Sequence, residues 1–307
     1  MLRKSVVHMT VTAIFQDTGW SLGDMYAHIA PHIGGVCFEW SKLYDKQLFV
    51  NYDRVLTLAG DGSKCLVEQY GVPREKILVV AHAEQDVQRL LKDGNVNIQK
   101  YAGFGVVSDT LACSSLSIGI TRVPSVLRQG IDCEFYKSPI PERLQKVGYA
   151  ALLSRPNEYG VEIKRGELVR RAVEVAGLDF VPAIPSNRRI DAIPRARMPA
   201  YYRSVDALVM SSLQEGGAMP PYEAAAAGRL VIGTPVGDFP RLCLEGMGLL
   251  APLNDEAFVE YVSSTLLFYK KKPLVFQDKC YDIAKSAKKR DWKNTIEDWI
   301  AFVIGNN

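Results

Sequence analysis

The sequence predicts an α/β chain of two domains, each built on a parallel β-sheet. Short runs of β-branched residues, such as residues 5–15, or of apolar residues, such as 207–210, alternate with stretches of helical periodicity. This alternation is typical of buried strands that are each followed by a helix. A proline-flanked stretch at residues 138–141 interrupts the alternation and is the candidate linker. A length of 307 residues is sufficient for two cores of ordinary size.

The composition is that of a soluble globular chain. A net charge of +3 is too small to indicate nucleic-acid binding, and the six cysteines include no CxxC pair, which favours reduced thiols. His8, Thr10 and Thr12 interrupt the only apolar run near the N-terminus, so no signal peptide is predicted. We therefore expect a cytoplasmic protein. The lysines at 270–272 predict a solvated face, with weak peripheral contact to an anionic membrane as the alternative.

In the first half, β-branched residues and turn signals assign the elements in order. Strands are predicted at residues 5–15, 36–40, 54–58, 76–82 and 105–109. Helices are predicted at residues 24–32, at 63–70, where Gly71 and Pro73 end the helix, and after residue 109. The loop with Gly19, Trp20 and Gly23 is either a plain strand-to-helix turn or a binding loop.

His82 ends the fourth predicted strand of the first half. The carboxyl ends of parallel strands are where α/β proteins place ligand-binding residues. His82 is therefore either a site residue or a structurally satisfied histidine at a strand end.

The second half repeats the alternation. Strands are predicted at residues 147–153, 178–183, 207–210 and 230–233, and an apolar stretch at 246–252. Helices are predicted at residues 167–176, 199–204, 222–227, 255–269 and 291–304. The last helix has Trp292, Ile296, Trp299, Ile300 and Val303 on one side, so it is expected to dock on another part of the chain.

Residues 211–237, SSLQEGGAMPPYEAAAAGRLVIGTPVG, carry the strongest functional signal. Two glutamates, Glu215 and Glu223, flank a turn and the start of a helix between two predicted strands. Backbone amides at such a turn bind anions, and the prolines at 220–221 suit a first helical turn. Carboxylates accept hydrogen bonds from hydroxyls. The stretch therefore predicts a ligand that carries both phosphates and sugar hydroxyls.

Residues 198–240 resemble the donor-binding core of the GT-B glycosyltransferases, specifically the retaining glycosyltransferase family 4 (group 1) type. Gly130-Ile131-Asp132 followed by Phe135 resembles that family's interdomain hinge. The resemblance covers the second half well and the first half loosely. It implies two Rossmann-like domains with an interdomain cleft. Residues 1–137 would form the acceptor-side domain, with the helix 291–307 packing back on it, and residues 138–290 would form the nucleotide-sugar-binding domain.

The resemblance implies a hexosyltransferase that moves a sugar from a nucleoside-diphosphate sugar to a hydroxyl of a glycan, glycolipid or other acceptor. The chain contains no Asp-x-Asp sequence, the usual metal–diphosphate ligand, and this favours a metal-free route. We therefore expect no metal and no cofactor, the nucleotide sugar being a substrate.

Site residues follow from the same resemblance. Glu223 would bind the ribose hydroxyls and Glu215 the transferred sugar, while Arg155 and Lys164 would neutralise the diphosphate, with Arg165 as the rival of Lys164. The remaining implied residues are the turn positions Gly216, Gly217, Ala218 and Met219 on the donor side, His82 on the transferred sugar, and Gly19, Trp20 and Gly23 in an acceptor-side loop. The chain departs from the family pattern at Gly217 and Ala218, where a bulky residue and then glycine are usual, and at Ser154, where glycine is usual.

Two other functions remain open from the sequence. A nucleotide-sugar hydrolase or epimerase would need an acid–base carboxylate pair, for which Asp17, Asp86 and Asp109 are the candidates. A non-catalytic sugar-nucleotide-binding protein would fit the short first half.

Overall fold

The computed structural model describes residues 12–16, 21–39, 42–92, 98–157 and 159–305. These residues divide into two compact units. The first contains the described residues up to Gln129 together with those from Thr295 onward. The second runs from Gly130 to Asn294. Each unit is built around one parallel sheet, of six strands in the first unit and five in the second.

The first unit alternates strands and helices. In chain order its elements are β1 (Thr12–Gln16), α1 (Ser21–Ile29), β2 (Gly35–Glu39), β3 (Arg54–Leu58), α2 (Asp61–Glu68), β4 (Ile77–Ala81), α3 (Glu84–Lys92), β5 (Gly103–Val106), α4 (Asp109–Ser117) and β6 (Ser125–Val126). The sheet order is β2-β1-β3-β4-β5-β6. Strand β4 is buried along its whole length because it lies inside the sheet, with helices on its faces.

Some boundaries in the first unit differ from the prediction. The fifth strand was expected at residues 105–109, but β5 ends at Val106, because the Ser108 hydroxyl accepts a hydrogen bond from the Leu111 amide (3.1 Å) and caps α4. Helix α3 and the short strand β6 were not predicted. Residues 5–11 of the first predicted strand lie outside the described residues.

The second unit has the same alternation. Its elements are α5 (Cys133–Tyr136), β7 (Lys146–Tyr149), α6 (Gly166–Val175), β8 (Asp179–Pro182), α7 (Met198–Ser204), β9 (Ala207–Met210), α8 (Met219–Ala226), β10 (Leu230–Gly233), α9 (Phe239–Leu244), β11 (Leu249–Leu250), α10 (Asp255–Lys271) and α11 (Pro273–Ala287). The sheet order is β11-β10-β9-β7-β8. Strands β9 and β10 are entirely buried, as central strands of a parallel sheet are.

Strand β7 is shorter than predicted. The expected strand at residues 147–153 ends at Tyr149. The carbonyl of Leu153 accepts a hydrogen bond from the Gly166 amide (2.9 Å), so this part of the chain pairs with the start of α6 instead of the sheet. The chain between β7 and α6 thereby contains a loop, residues 154–165, that follows the carboxyl end of β7.

Helix α12 (Trp292–Ile304) closes the chain, and its residues from Thr295 onward belong to the first unit. The indole nitrogen of Trp299 donates a hydrogen bond to the Arg128 carbonyl (2.9 Å). The ring of Phe302 lies against β5, where a β-carbon at Gly103 or Gly105 would stand 2.8 or 3.3 Å from it. The apolar side of α12 therefore completes the core of the first unit. Across the described ranges, every helix is too short or too polar to cross a bilayer.

Candidate functional site

Glu215 lies in the turn between β9 and α8. Ser211 and Ser212 continue β9 as buried residues, and the Ser212 hydroxyl donates to Oε1 of Glu215 (2.7 Å). Helix α8 begins at Met219 with prolines in its first turn, where an amide hydrogen would have no intrahelical partner. The turn is thus defined at both ends, and Glu215 is held near the carboxyl end of a central strand.

A second loop, residues 234–237 after β10, packs against the same turn. The Thr234 hydroxyl donates a hydrogen bond to the Ser212 carbonyl. Gly237 has a φ of 58°, and a β-carbon there would lie 2.8 Å from the Gly216 carbonyl oxygen and 2.9 Å from that of Glu215. Only glycine combines this backbone conformation with so close an approach.

Lys164 forms an ion pair with Glu215. Its ammonium donates to Oε1 of Glu215, and the two side chains are 14% and 16% exposed. Among the described residues, Oε2 of Glu215 has no hydrogen-bond partner. A lysine ammonium has three N–H donors and a carboxylate about four acceptor positions. Both groups can therefore bind a ligand without breaking their ion pair.

Arg165 is directed elsewhere. Its side chain is buried, and its guanidinium donates to the carbonyls of Ser211 (2.7 Å) and Leu253 (2.7 Å) and to Oδ1 of Asp255 (2.6 Å). These bonds leave the ammonium of Lys164, not the guanidinium of Arg165, beside Glu215.

Arg155 presents an exposed guanidinium. No described residue forms a hydrogen bond or ion pair with that group, whereas the Arg155 amide donates to Oε1 of Glu162 (2.7 Å). The backbone of Arg155 is therefore fixed while its charge remains available to a ligand. Lys164 follows Glu162 by two residues, so both predicted diphosphate ligands emerge from the loop 154–165.

Glu223 is almost completely buried on α8. Its Oε1 accepts from Nη1 of Arg195 (2.7 Å) and its Oε2 from the Tyr202 hydroxyl (2.8 Å). Burial and the charge of Glu223 raise the pKa of Tyr202 and Tyr136 far above the usual range, so both phenols stay protonated. Each carboxylate oxygen keeps a further acceptor position for a hydroxyl.

The other implied donor-side residues lie between the two glutamates. Gly216 and Met219 are buried, while Gly217 and Ala218 are half-buried. Ala218 is the N-cap of α8 and has extended backbone angles. Pro220 and Pro221 have no N–H, so among the first three residues of α8 only Met219 has an amide that could bind an anion.

The first unit holds the remaining predicted site residues. His82 lies immediately after β4, and its Nε2 is 3.1 Å from the Tyr26 hydroxyl. Its Nδ1 is buried without a partner among the described residues. Gly23 lies in α1, whereas Gly19 and Trp20 lie outside the described residues.

Burial sets the charge state around His82. It lowers the pKa of His82 to about 3, so the imidazole is neutral at pH 7. It also raises the pKa of Asp86 to about 6, although the amides of His82 and Ala83, each 2.9 Å from Oδ2, oppose that shift.

Two of the three carboxylates considered for acid–base chemistry lie in different environments. Asp86 is buried and bound to two backbone amides. Asp109 is exposed at the first position of α4, and Asp17 lies outside the described residues. Within the described ranges, no group of three or more His, Cys, Asp and Glu side chains is arranged to hold a metal ion.

Three residues of the site were not identified from the sequence. Arg195 belongs to an arginine-rich loop, and this composition was its only signal. Tyr202 lies on α7, and its contact with Glu223 is visible only in three dimensions. Glu162 bonds mainly to backbone amides, which carry no sequence signature.

Comparison with known families connects this site to sugar transfer. Residues 175–267 match the family model described as Glycosyl transferases group 1. The match contains Arg195, Glu215 and Glu223, and it agrees with the class of enzyme predicted from the sequence. A search of curated proteins found no match for the chain.

Solved structures of similar fold extend over both units. The structure of HepE from Anabaena in complex with UDP-glucose is similar with a TM-score of 0.70 and 13% identity, covering 97% of this chain and 100% of that one. Sucrose-phosphate synthase from Thermosynechococcus elongatus has a TM-score of 0.63 and 13% identity, covering 97% and 98%. S. aureus TarM in complex with UDP has a TM-score of 0.60 and 12% identity. This chain covers 55% of the TarM chain, about half its length.

These likenesses confirm the fold class predicted from the sequence: α/β, with two Rossmann-like domains of the GT-B type. The identities of 12–13% restrict that conclusion to the fold.

Proposed function

We propose that the chain is a retaining, metal-independent glycosyltransferase of the family 4 type. It moves a hexose from a nucleoside-diphosphate sugar to a hydroxyl of a glycan, glycolipid or other acceptor. The observation that carries the proposal is the pair Glu215 and Glu223 on one turn and helix, each facing a cation from another segment. An anion site of this kind has hydroxyl acceptors and phosphate ligands side by side.

In the proposed complex, the ribose hydroxyls donate to Glu223, whose oxygens are already oriented by Arg195 and Tyr202. The hydroxyls of the transferred sugar donate to Glu215, whose Oε2 has no partner among the described residues. Because Glu223 is rigidly held and deeply buried, it loses little freedom when the ribose binds.

The diphosphate is the leaving group, and its departing charge needs neutralisation. Lys164 and Arg155 supply two positive charges from one loop, and Lys164 has N–H donors beyond the one used by Glu215. The bond between the anomeric carbon and the phosphate oxygen breaks, the acceptor oxygen bonds to the anomeric carbon from the same face of the sugar, and the acceptor's proton passes to the departing phosphate oxygen. No protein nucleophile is required.

His82 is the proposed contact of the first unit with the transferred sugar. A neutral imidazole with a pKa lowered to about 3 exchanges hydrogen bonds with hydroxyls without adding charge. Since the solved HepE and TarM structures contain UDP or UDP-glucose, UDP-sugars are the first donors to test.

The test is release of nucleoside diphosphate from UDP-, GDP-, dTDP- and ADP-sugars, with and without glycan acceptors. Release that needs an acceptor supports transfer, release without one indicates hydrolysis, and binding without release indicates a non-catalytic protein.

Glu223→Gln is the decisive variant. It removes the buried charge opposite Arg195 and one hydroxyl acceptor. We expect nucleotide affinity, measured by calorimetry, to fall about tenfold or more, in line with the loss of hydrogen bonds to a charged group. Glu256→Gln on the exposed face of α10 is the matched control and should bind as the parent does. If Glu223→Gln binds nucleotides as tightly as this control, the donor site is misassigned.

A further inference from the structure

The loop 154–165 folds into a short hairpin that brings its two ends together. Pro156 and Glu162 form an antiparallel bridge, and the Asn157 amide donates to the Val161 carbonyl (2.8 Å). The Ile163 amide donates to the Arg155 carbonyl (3.0 Å). Arg155 and the residues after Ile163 therefore leave the hairpin at the same end.

One carboxylate joins both strands of this hairpin. Oε1 of Glu162 accepts from the amides of Arg155 (2.7 Å), Lys164 (2.9 Å) and Arg165 (3.3 Å), and Oε2 accepts from the Ser154 hydroxyl. Partial burial raises the pKa of Glu162, but these hydrogen bonds outweigh it and lower the pKa overall. The group is thus ionised at neutral pH and has its acceptor positions filled by the loop itself.

The peptide unit after Lys164 is fixed as well. The Lys164 carbonyl accepts from the hydroxyls of Tyr149 (2.9 Å) and Ser211 (2.8 Å). Arg165 has a φ of 50°, the only positive value at a non-glycine residue in the described part of the chain. Such a conformation persists where surrounding contacts impose it, and it is characteristic of functional sites. Here it turns the chain so that Lys164 faces Glu215 while Arg165 is buried.

A carboxylate at this place is unfavourable for phosphate binding on charge alone. Glu162 contributes a negative charge within two residues of Lys164, and like charges repel. The amides that Glu162 binds belong to both predicted diphosphate ligands, so holding these two residues in place would offset the unfavourable charge.

We propose that Glu162 is a positioning residue that sets the separation of Arg155 and Lys164, and hence how well the pair matches a diphosphate. Glu162 touches neither the sugar nor the phosphates. Its carboxylate holds the two backbone amides, and each side chain extends toward the ligand from a fixed point. This inference rests on the proposed function, because it needs a diphosphate between the two cations.

The test compares uridine, guanosine, adenosine and thymidine diphosphates with the corresponding monophosphates. We expect a diphosphate to engage both cations at once and a monophosphate to engage one of them. In Glu162→Ala we expect diphosphate affinity to fall about tenfold while monophosphate affinity stays unchanged, so their ratio falls. Loss of a negative charge alone would tighten phosphate binding, so the sign of the change separates positioning from charge.

Glu162→Gln provides the rescue. Its amide oxygen can accept from the same backbone amides, so the ratio of diphosphate to monophosphate affinity should return close to that of the parent. Glu167→Ala, which removes an exposed carboxylate paired with Arg170 at the start of α6, is the matched control and should leave the ratio unchanged. Melting temperatures of all variants identify any that unfold.

The outcomes separate the two proposals. Equal weakening of mono- and diphosphates in Glu162→Ala, or tighter diphosphate binding, overturns the positioning role and leaves the proposed function standing. A parent protein that binds none of the nucleotides overturns the proposed function, and the positioning role with it. Failure of Glu162→Gln to restore the ratio also contradicts the inference.

Discussion

Three glutamates of the second unit differ in what balances their charge. Glu215 faces the ammonium of Lys164, Glu223 faces a guanidinium and a phenol, and Glu162 faces backbone amides and a hydroxyl. Only the first two have cations as partners. A ligand hydroxyl can bind to a carboxylate that retains acceptor positions, whereas those of Glu162 are filled by the loop. Residue type alone therefore does not distinguish a residue that contacts the ligand from a positioning residue.

Asp86 allows a test of burial at the level of a single residue. Its pKa is raised to about 6, from an ordinary value of 3.8, chiefly by burial. Between about pH 4 and 6 the folded protein therefore binds more protons at this residue than the unfolded chain. The contribution of Asp86 to the free energy of unfolding falls as the pH rises through that window, by roughly 3 kcal/mol in total.

Asp86→Asn should remove this dependence, because asparagine does not titrate and its oxygen can still accept from the amides of His82 and Ala83. We expect the variant to gain stability relative to the parent as the pH rises from 4 to 7, measured by urea unfolding. Asp45→Asn, at an exposed carboxylate that accepts a hydrogen bond from the Gln47 amide, is the control and should follow the parent. A difference between Asp86→Asn and the parent that is constant over this range would contradict the raised pKa.

At the scale of elements, the site depends on two loops that support each other. The turn after β9 carries Glu215, and the loop after β10 approaches its backbone so closely that Gly237 has no room for a side chain. The sheet places these loops side by side because β9 and β10 are parallel neighbours in register.

Gly237→Ala tests this support. The new methyl group would meet the carbonyl oxygens of Glu215 and Gly216, and the positive φ adds about 1 kcal/mol of strain. We expect the melting temperature to fall and sugar transfer to drop by about tenfold or more, as follows from displacing a positioned group.

Gly71→Ala is the matched control for this variant. Gly71 has a similar φ of 65°, and nothing lies within 4 Å of a β-carbon there. The Gly71→Ala variant should lose stability through backbone strain alone, and its rate of sugar transfer should equal that of the parent. If both variants retain the same activity, the approach of Gly237 to the turn does not hold Glu215 in place.

Elements with clear periodicity and clear boundary residues could be predicted from the sequence, and elements with ambiguous boundaries could not. The strands at 207–210 and 230–233 were predicted to the residue, because they are continuous apolar runs between polar turns. Helix α11 was not predicted, because the lysines at 270–272 and Pro273 resemble a helix end. Proline at a first helical position begins a helix equally well, and the buried Phe276, Cys280, Ile283 and Ala287 follow helical spacing.

Some residues of the candidate site could likewise be predicted from the sequence, and others could not. Glu215 and Glu223 stand in a stretch whose local sequence specifies turn and helix, so they could be found without a structure. Arg195, Tyr202 and Glu162 act through contacts with residues distant in sequence or through backbone amides. Such contacts produce no characteristic spacing of residues in the sequence, so they could not be predicted from it.

At the scale of the whole molecule, the proposed function implies that the chain itself provides the positive charge for a diphosphate. Lys164 and Arg155 come from one loop of the second unit, and the chain has no Asp-x-Asp sequence. A guanidinium and an ammonium can balance a departing diphosphate without a bound ion.

We therefore expect removal of divalent metal by a chelator such as EDTA to leave the rate of sugar transfer within about twofold of the untreated protein. Adding Mg²⁺ or Mn²⁺ afterwards should not raise that rate. A loss of activity on chelation that either ion restores would contradict the metal-free route.

Helix α12 has a consequence for the order in which the protein is made. Trp299 and Phe302 complete the core of the unit that also contains the described residues up to Gln129, and they are translated after the whole of the second unit. Translation proceeds from the N-terminus, so the second unit is synthesised before the core of the first unit can be completed. Until α12 emerges, Phe302 does not cover β5 at Gly103 and Gly105, so we expect the nascent chain to expose apolar surface of the kind that promotes aggregation.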